Sequence, residues 1–231
     1  DADRIGAIDE RGEILWGDRL MIVYARDILT QRPGTTFISE VKASQCLYDD
    51  IAAKGGRPIM WKTGHSLMKA KLKAESAVLA GEMSGHMFFA DRYFGFDDAI
   101  YASCRLVEIL AKTKRSLSSL VADLPQTTVT PEIRVDCPDT LKFQLVDQVR
   151  TQLAAYLAEG QPVGASNLRM RELVTIDGVR AIFEDGWGLI RASNTQPALV
   201  LRFEAPSPAR LDVIRATIET ELAQARRVLS T

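Results

Sequence analysis

At 231 residues, with 46% hydrophobic and 26% charged residues, the chain has the makeup of one large or two small globular domains. Lysine and arginine (29) balance aspartate and glutamate (30), for a formal charge of −1, which argues against nucleic acid as a partner and against a charged interaction tail. No apolar run is long enough to span a membrane, the N-terminus does not read as a signal peptide, and Cys46, Cys104 and Cys137 lack metal-type spacing, so they read as reduced thiols of a cytoplasmic protein.

The chain opens on Asp1-Ala2-Asp3-Arg4, without an initiator Met. Two carboxylates on alternating loop positions make a hard, oxygen-rich site of the kind Mg²⁺ accepts, and an adjacent Arg can hold a phosphate sharing that metal. An exposed terminal Asp pair is equally at home simply solvated. After the turn Glu10-Arg11-Gly12, a helix is expected from Asp18 to Thr30, with Leu20, Met21, Tyr24 and Ile28 on one face. Pro33-Gly34 breaks it. A strand over Thr36–Val41 ends at Lys42, a helix covers Gln45–Ala53, and Pro58–Trp61 reads as a second strand. It runs into Lys62-Thr63-Gly64-His65-Ser66 and a helix with Met68 and Leu72 on one face. A strand at Ala77–Ala80 leads to the loop Gly81-Glu82-Met83-Ser84-Gly85-His86, then a short strand over Met87–Ala90. A long helix from Asp97 to about Lys112 is expected to bury Ile100, Cys104, Val107 and Leu110. Such alternation predicts an α/β domain with a mixed, largely parallel sheet flanked by helices.

Composition shifts at Leu124-Pro125. Beyond it come Thr127–Val135, a helix carrying Val146, Val149, Leu153 and Leu157, and a hairpin of Leu173–Ile176 and Val179–Phe183 around Asp177-Gly178. Strands at Trp187–Ile190 and Leu199–Phe203 follow, then a helix over Ala209–Leu229 with Leu211, Ile214, Ile218, Leu222, Ala225 and Leu229 in phase. This half reads as α+β, an antiparallel sheet covered by two helices.

Four polar segments carry the chemistry. Arg191-Ala192-Ser193-Asn194-Thr195 combines a guanidinium, two hydroxyls and a carboxamide with no acid among them, which suits an anion such as phosphate. The same residues also suit a polar turn whose Ser and Asn cap their own backbone. Lys42, the Gly64-His65 pair and the Glu82–His86 loop each follow a strand, and in α/β sheets the C-terminal strand edge is where ligands bind. The helix after Gly64 offers backbone N–H groups to an anion. Glu82 and Ser84 can point an acceptor and a hydroxyl at neighbouring sugar hydroxyls, and Lys42 can neutralise a phosphate or move a proton. Each of these also has a plain reading as a solvated loop residue.

Taken in order, Asp1-Ala2-Asp3-Arg4, Lys62-Thr63-Gly64-His65-Ser66, Gly81-Glu82-Met83-Ser84-Gly85-His86 and Arg191-Ala192-Ser193-Asn194-Thr195 resemble the motifs of the α-D-phosphohexomutases, most closely the bacterial phosphomannomutase/phosphoglucomutase branch. The resemblance covers essentially the whole chain. It implies reversible interconversion of hexose 1-phosphate and hexose 6-phosphate, with Mg²⁺ as cofactor and glucose 1,6-bisphosphate as intermediate and activator. It assigns Asp1 and Asp3 to the metal, and Glu82, Ser84, His86 and Gly64 to the sugar. Arg191, Ser193, Asn194 and Thr195 fall to the non-reacting phosphate, and Lys42, His65 and Arg4 to catalysis. The family's metal loop has three Asp, the first of which would precede residue 1. Its phosphorylated serine is followed by His and Asn, and no serine here is followed by His. The resemblance thus implies residues 1–13 as the tail of a second domain, 14–124 as a third and 125–231 as a C-terminal domain. Such a chain is expected to be inactive alone and to work with the N-terminal domains of the same protein. A phosphoglucosamine mutase and a non-catalytic phosphosugar-binding module are the alternatives.

Overall fold

The structure, a computed structural model, describes residues 2–229; the expected metal ligand Asp1 lies outside them. Contacts divide the chain into two units, residues 1–125 and 126–231.

The first unit opens with the two-residue strands β1 (Ala7–Ile8) and β2 (Ile14–Leu15), followed by α1 (Gly17–Gln31), β3 (Thr36–Glu40) and α2 (Gln45–Ala53). Next come β4 (Arg57–Trp61), α3 (His65–Ala74), β5 (Leu79–Gly81), β6 (Met87–Phe89), α4 (Ala99–Thr113) and the short α5 (Leu117–Leu120). The four-stranded sheet runs β4-β3-β5-β6, with β3 parallel to both β4 and β5, and β6 antiparallel to β5. Alternate residues serve opposite faces. Phe37, Leu79, Met87 and Phe89 pack toward α1, α2 and α4, whereas Ile38, Ala80 and Phe88 meet Met68 and Leu72 of α3. Because β3, β4 and β5 are parallel, Lys42, Gly64 and Glu82 all emerge at one edge.

The face of α4 is not the expected one. Ile100 and Val107 are 67% and 63% exposed and Cys104 is also exposed; Ala99, Ala102, Leu106 and Ile109 are buried instead, with Leu110 partly so. The reason is Arg105, which lies on the buried side. Its guanidinium meets Asp91 Oδ2 at 3.0 Å, donates to the Asp91 carbonyl at 3.0 Å and stacks 4.8 Å from the Phe89 ring. An ion pair and a ring contact drew in a charged residue that periodicity assigns to solvent.

The second unit contains β7 (Thr128–Val129), β8 (Ile133–Asp136), α6 (Asp139–Glu159), β9 (Met170–Val174), β10 (Val179–Phe183), β11 (Trp187–Ala192), β12 (Ala198–Ala205) and α7 (Pro208–Leu229). All its strand pairs are antiparallel, in the order β7-β12-β11-β10-β9 with β8 also on β12. Both long helices pack on one face, against Val179, Ala181, Phe183, Ile190, Leu199, Leu201 and Phe203. The opposite face carries Arg180 stacked 3.8 Å over the Trp187 ring, and Trp187 Nε1 donates to Glu204 at 2.6 Å.

Between α6 and α7, Glu221 is buried and accepts from Gln152 Nε2 at 3.1 Å, while its Oε1 and Gln152 Oε1 both lack a donor. Burial holds the Glu221 pKa above its ordinary 4.5, against the hydrogen bond from Gln152. The folded unit thus keeps a proton that the unfolded chain has released. That contribution is complete below pH 4.5 and is lost as pH rises through the raised pKa. Glu221→Gln supplies a donor at every pH. By calorimetry the unit should melt roughly 2–5 °C higher at pH 7, with the difference vanishing toward pH 4; equal shifts at both pH values would refute this.

Candidate functional site

The parallel strands place the site, and one buried carboxylate ties its loops together. Glu40, at the end of β3, is fully buried. Its Oε2 accepts from Thr63 Oγ1 at 2.8 Å, its Oε1 accepts from Met83 N at 3.0 Å, and Lys42 Nζ lies 3.4 Å from Oε2. Desolvation pushes the Glu40 pKa up, opposed by the Lys42 ammonium and reinforced by the nearby Glu82 carboxylate. Thus the residues after β3, β4 and β5 are linked through a side chain that no glycine-rich motif flagged.

Glu82 is also buried, and its Oε1 accepts from the Gly64 N–H at 2.8 Å. Gly64 is the N-cap of α3 with φ +130°, and its own N–H is the one this acid engages. Ser84, exposed, sits 3.4 Å from Glu82 Oε2. The loop closes by Gly85 N to Glu82 O at 3.0 Å and Glu82 N to His86 O at 2.9 Å. The N-terminal segment lies against it: Arg4 forms an antiparallel bridge with His86, and Ile5 N donates to Gly85 O at 3.0 Å. These contacts bring Asp3 and Arg4 to the sequence-predicted sugar loop. His65 is exposed, with its ring 6.3 Å from that of the buried His86. Asp3, His86 and Asp97 present ligand atoms within 4.8 Å of one another. Nothing in the sequence around Asp97, a lone acid at the start of the expected helix, marks it as a ligand. A surface concavity of about 680 Å³, lined among others by Arg26, Lys54, Arg115 and Asp123, contains none of these residues.

Mg²⁺ is held typically by one or two carboxylates with several waters and substrate phosphates completing six oxygens. Among the described residues the half-exposed carboxylate of Asp3, with Arg4 beside it, suits that demand.

In the second unit, Arg191 lies within β11 rather than in the loop. An acid does serve it: Nε and Nη2 donate to the two carboxylate oxygens of Asp177 at 3.1 and 3.3 Å, across the β9–β10 turn. The fork fixes the guanidinium without using Nη1. Ser193 Oγ accepts from the backbone of Thr195 and Gln196 at 3.4 and 3.2 Å, so the self-capping turn is present. Its hydroxyl proton remains a donor, and Asn194 and Thr195 are exposed. Beneath the loop, the buried Lys142 donates to the carbonyls of Ser193 and Gln196 at 2.6 and 3.1 Å. Gly178, next to Asp177, has φ +82°, and a Cβ there would come within 2.4 Å of the Ile190 carbonyl and 2.5 Å of Arg191 Cβ. Gly178→Ala should destabilise this unit by about 1–3 kcal/mol in urea unfolding. An unchanged midpoint would mean the hairpin relaxes without strain.

No helix among the described residues is long and apolar enough to cross a membrane. Residues 16–128 match the family model of phosphoglucomutase/phosphomannomutase, alpha/beta/alpha domain III, and residues 132–221 match that of the phosphoglucomutase/phosphomannomutase C-terminal domain. A phosphomannomutase/phosphoglucomutase of Pseudomonas putida is 46% identical over 222 residues, which is 96% of this chain and 45% of that protein. The crystal structure of a phosphoglucomutase/phosphomannomutase family protein from Burkholderia thailandensis superposes with a TM-score of 0.85 at 42% identity, covering 98% of this chain and 45% of that one. Aspergillus fumigatus N-acetylphosphoglucosamine mutase, solved in complex with GlcNAc-6P and magnesium, shares the fold at 17% identity and a TM-score of 0.65, over 97% of this chain and 47% of its own. The chain therefore spans less than half the length of the relatives it matches. Its two units, matched one after the other by these two models, make it a member of the phosphoglucomutase/phosphomannomutase family.

Proposed function

We propose that this chain is the sugar-recognising and phosphate-holding part of a hexose-phosphate mutase, one that interconverts hexose 1-phosphate and hexose 6-phosphate. What carries the reading is the convergence of Lys42, Gly64, Glu82, Ser84 and His86 at one strand edge, with Arg4 bridged to His86 of the same loop and Asp3 Oδ2 4.0 Å from its imidazole. The phosphoryl group comes from a phosphoserine outside these 231 residues, and the reaction passes through a 1,6-bisphosphate. Phosphoryl transfer needs mainly positioning and charge stabilisation, and each side chain has a part in that. Glu82 accepts from sugar hydroxyls: its carboxylate has about four lone-pair sites, and Gly64 and Ser84 take two. Ser84, whose one proton is directed at Glu82, accepts from a neighbouring hydroxyl. Lys42 and His65 hold or move the proton of the reacting hydroxyl, and Arg4 faces the transferring phosphate. Arg191, with Ser193, Asn194 and Thr195, holds the phosphate that does not react. Mg²⁺ bound by Asp1 and Asp3 would neutralise charge on the transferring group.

A coupled mutase assay tests this, with Mg²⁺, glucose 1-phosphate and a trace of glucose 1,6-bisphosphate, on this chain and on the full-length protein in parallel. Turnover by the full-length protein alone supports the assignment. Turnover by the 231-residue chain would mean that it holds its own phosphoryl carrier. Absence of turnover in both would leave a phosphosugar-binding module, detectable by titration. Comparing kcat/KM for glucose, mannose and glucosamine phosphates distinguishes a phosphoglucosamine mutase.

A further inference from the structure

His86 is a buried imidazole whose Nδ1 has no aligned hydrogen bond, although two carboxylates face it: Asp97 Oδ2 at 3.1 Å and Asp3 Oδ2 at 4.0 Å. At 3.1 Å the Asp97 oxygen is within hydrogen-bond distance of Nδ1, without the alignment of a formed bond. Asp97 is held for this task. Its Oδ1 accepts from Lys69 Nζ at 3.2 Å, which leaves Oδ2 toward the imidazole, and its backbone bridges Phe88, whose ring stacks 6.2 Å from that of His86. Burial alone would raise the Asp97 pKa, but a hydrogen bond to its own backbone, Lys69 and His86 together bring it below the ordinary value, so the acceptor stays charged.

We propose that Asp97 is a positioning residue: it takes the Nδ1–H of His86, fixes the tautomer in which Nε2 is the basic nitrogen, and keeps the ring from competing for Asp3. A carboxylate on one ring nitrogen decides which proton the other can take. Asp3, the more distant of the two, is thereby left to the metal loop. The inference rests on the mutase reading only for its kinetic consequence; the tautomer is a property of the chain itself.

Nitrogen-15 spectra of the labelled histidines test the pairing directly. There are two histidines, so a His65→Gln sample assigns them. The neutral His86 ring should show a protonated Nδ1 and an acceptor Nε2, and Asp97→Ala should return it to the commoner Nε2–H form. In the full-length enzyme, Asp97→Asn should lower kcat at least about tenfold with KM within about threefold, and should cost nothing further in a His86→Ala background. An Nε2–H tautomer in the wild-type chain overturns the proposal, and so does an additive loss in the double variant. If the full-length protein lacks mutase activity, the functional reading falls while the spectra still decide the role of Asp97.

Discussion

Arg191→Ala in the full-length protein should raise KM for hexose phosphates at least about tenfold, since a charge-assisted contact to phosphate contributes ~1.5–3 kcal/mol. The expectation follows from a guanidinium already oriented in β11 by the two oxygens of Asp177, so that little ordering remains when an anion arrives. Truncation also removes the cation from a mostly buried pair, 7% and 14% exposed, and the unit should unfold more readily. Asp177→Asn separates these effects. It keeps the charge of Arg191 and loosens its aim, so KM should rise less than in Arg191→Ala. Steady-state kinetics on both variants, with circular dichroism to verify folding, checks this. A folded Arg191→Ala enzyme with unchanged KM would remove the phosphate clamp from the mechanism.

Glu40→Ala should have the largest effect on the first unit, lowering its stability by about 3–5 kcal/mol, the cost of breaking a buried ion pair from one side. Lys42, only 8% exposed, loses the carboxylate 3.4 Å away, and the Thr63 hydroxyl and Met83 N–H lose their acceptor. Glu40→Gln keeps the shape and one carbonyl oxygen, so it should retain much of the stability. It should also weaken the pH dependence that a raised pKa imposes: the wild-type contribution is greatest below pH 4.5 and falls as pH rises. Urea unfolding of the three proteins at pH 5 and pH 8 measures both. A loss below about 1 kcal/mol for Glu40→Ala would mean that water replaces the carboxylate at no great cost.

Much of the fold was legible because strand and helix periods differ and glycine or proline separates them. The helix over Gln45–Ala53 is observed with the expected limits, and the parallel order of β3, β4 and β5 follows from the alternation. The buried face of α4 was not legible, because Arg105 is drawn inside by Asp91 and by the Phe89 ring, partners that only tertiary structure supplies. The same holds for Lys142, which sits under a loop some 50 residues further along the chain and reads in sequence as a solvated helix cation. For the candidate site, glycines marked the loops that present polar groups, which is why Gly64, Glu82, Ser84 and His86 stood out. The residues that hold those loops carry no such mark. Glu40 is an acid in a strand, Asp97 an acid before a helix and Asp177 an acid in a hairpin turn, and each becomes recognisable only through the partner it faces.

The backbone of Met83 is gripped on both of its peptide groups. Its N–H goes to Glu40, its carbonyl accepts from Gly17 N at 3.3 Å, and a Cβ on Gly17 would lie 2.3 Å from the neighbouring Glu82 carbonyl. An engineer who transplants residues 81–86 into a relative is therefore not moving a self-contained cassette. The graft inherits its backbone path from position 17 and position 40, and a host that lacks Gly and Glu there will receive the right side chains on a displaced loop.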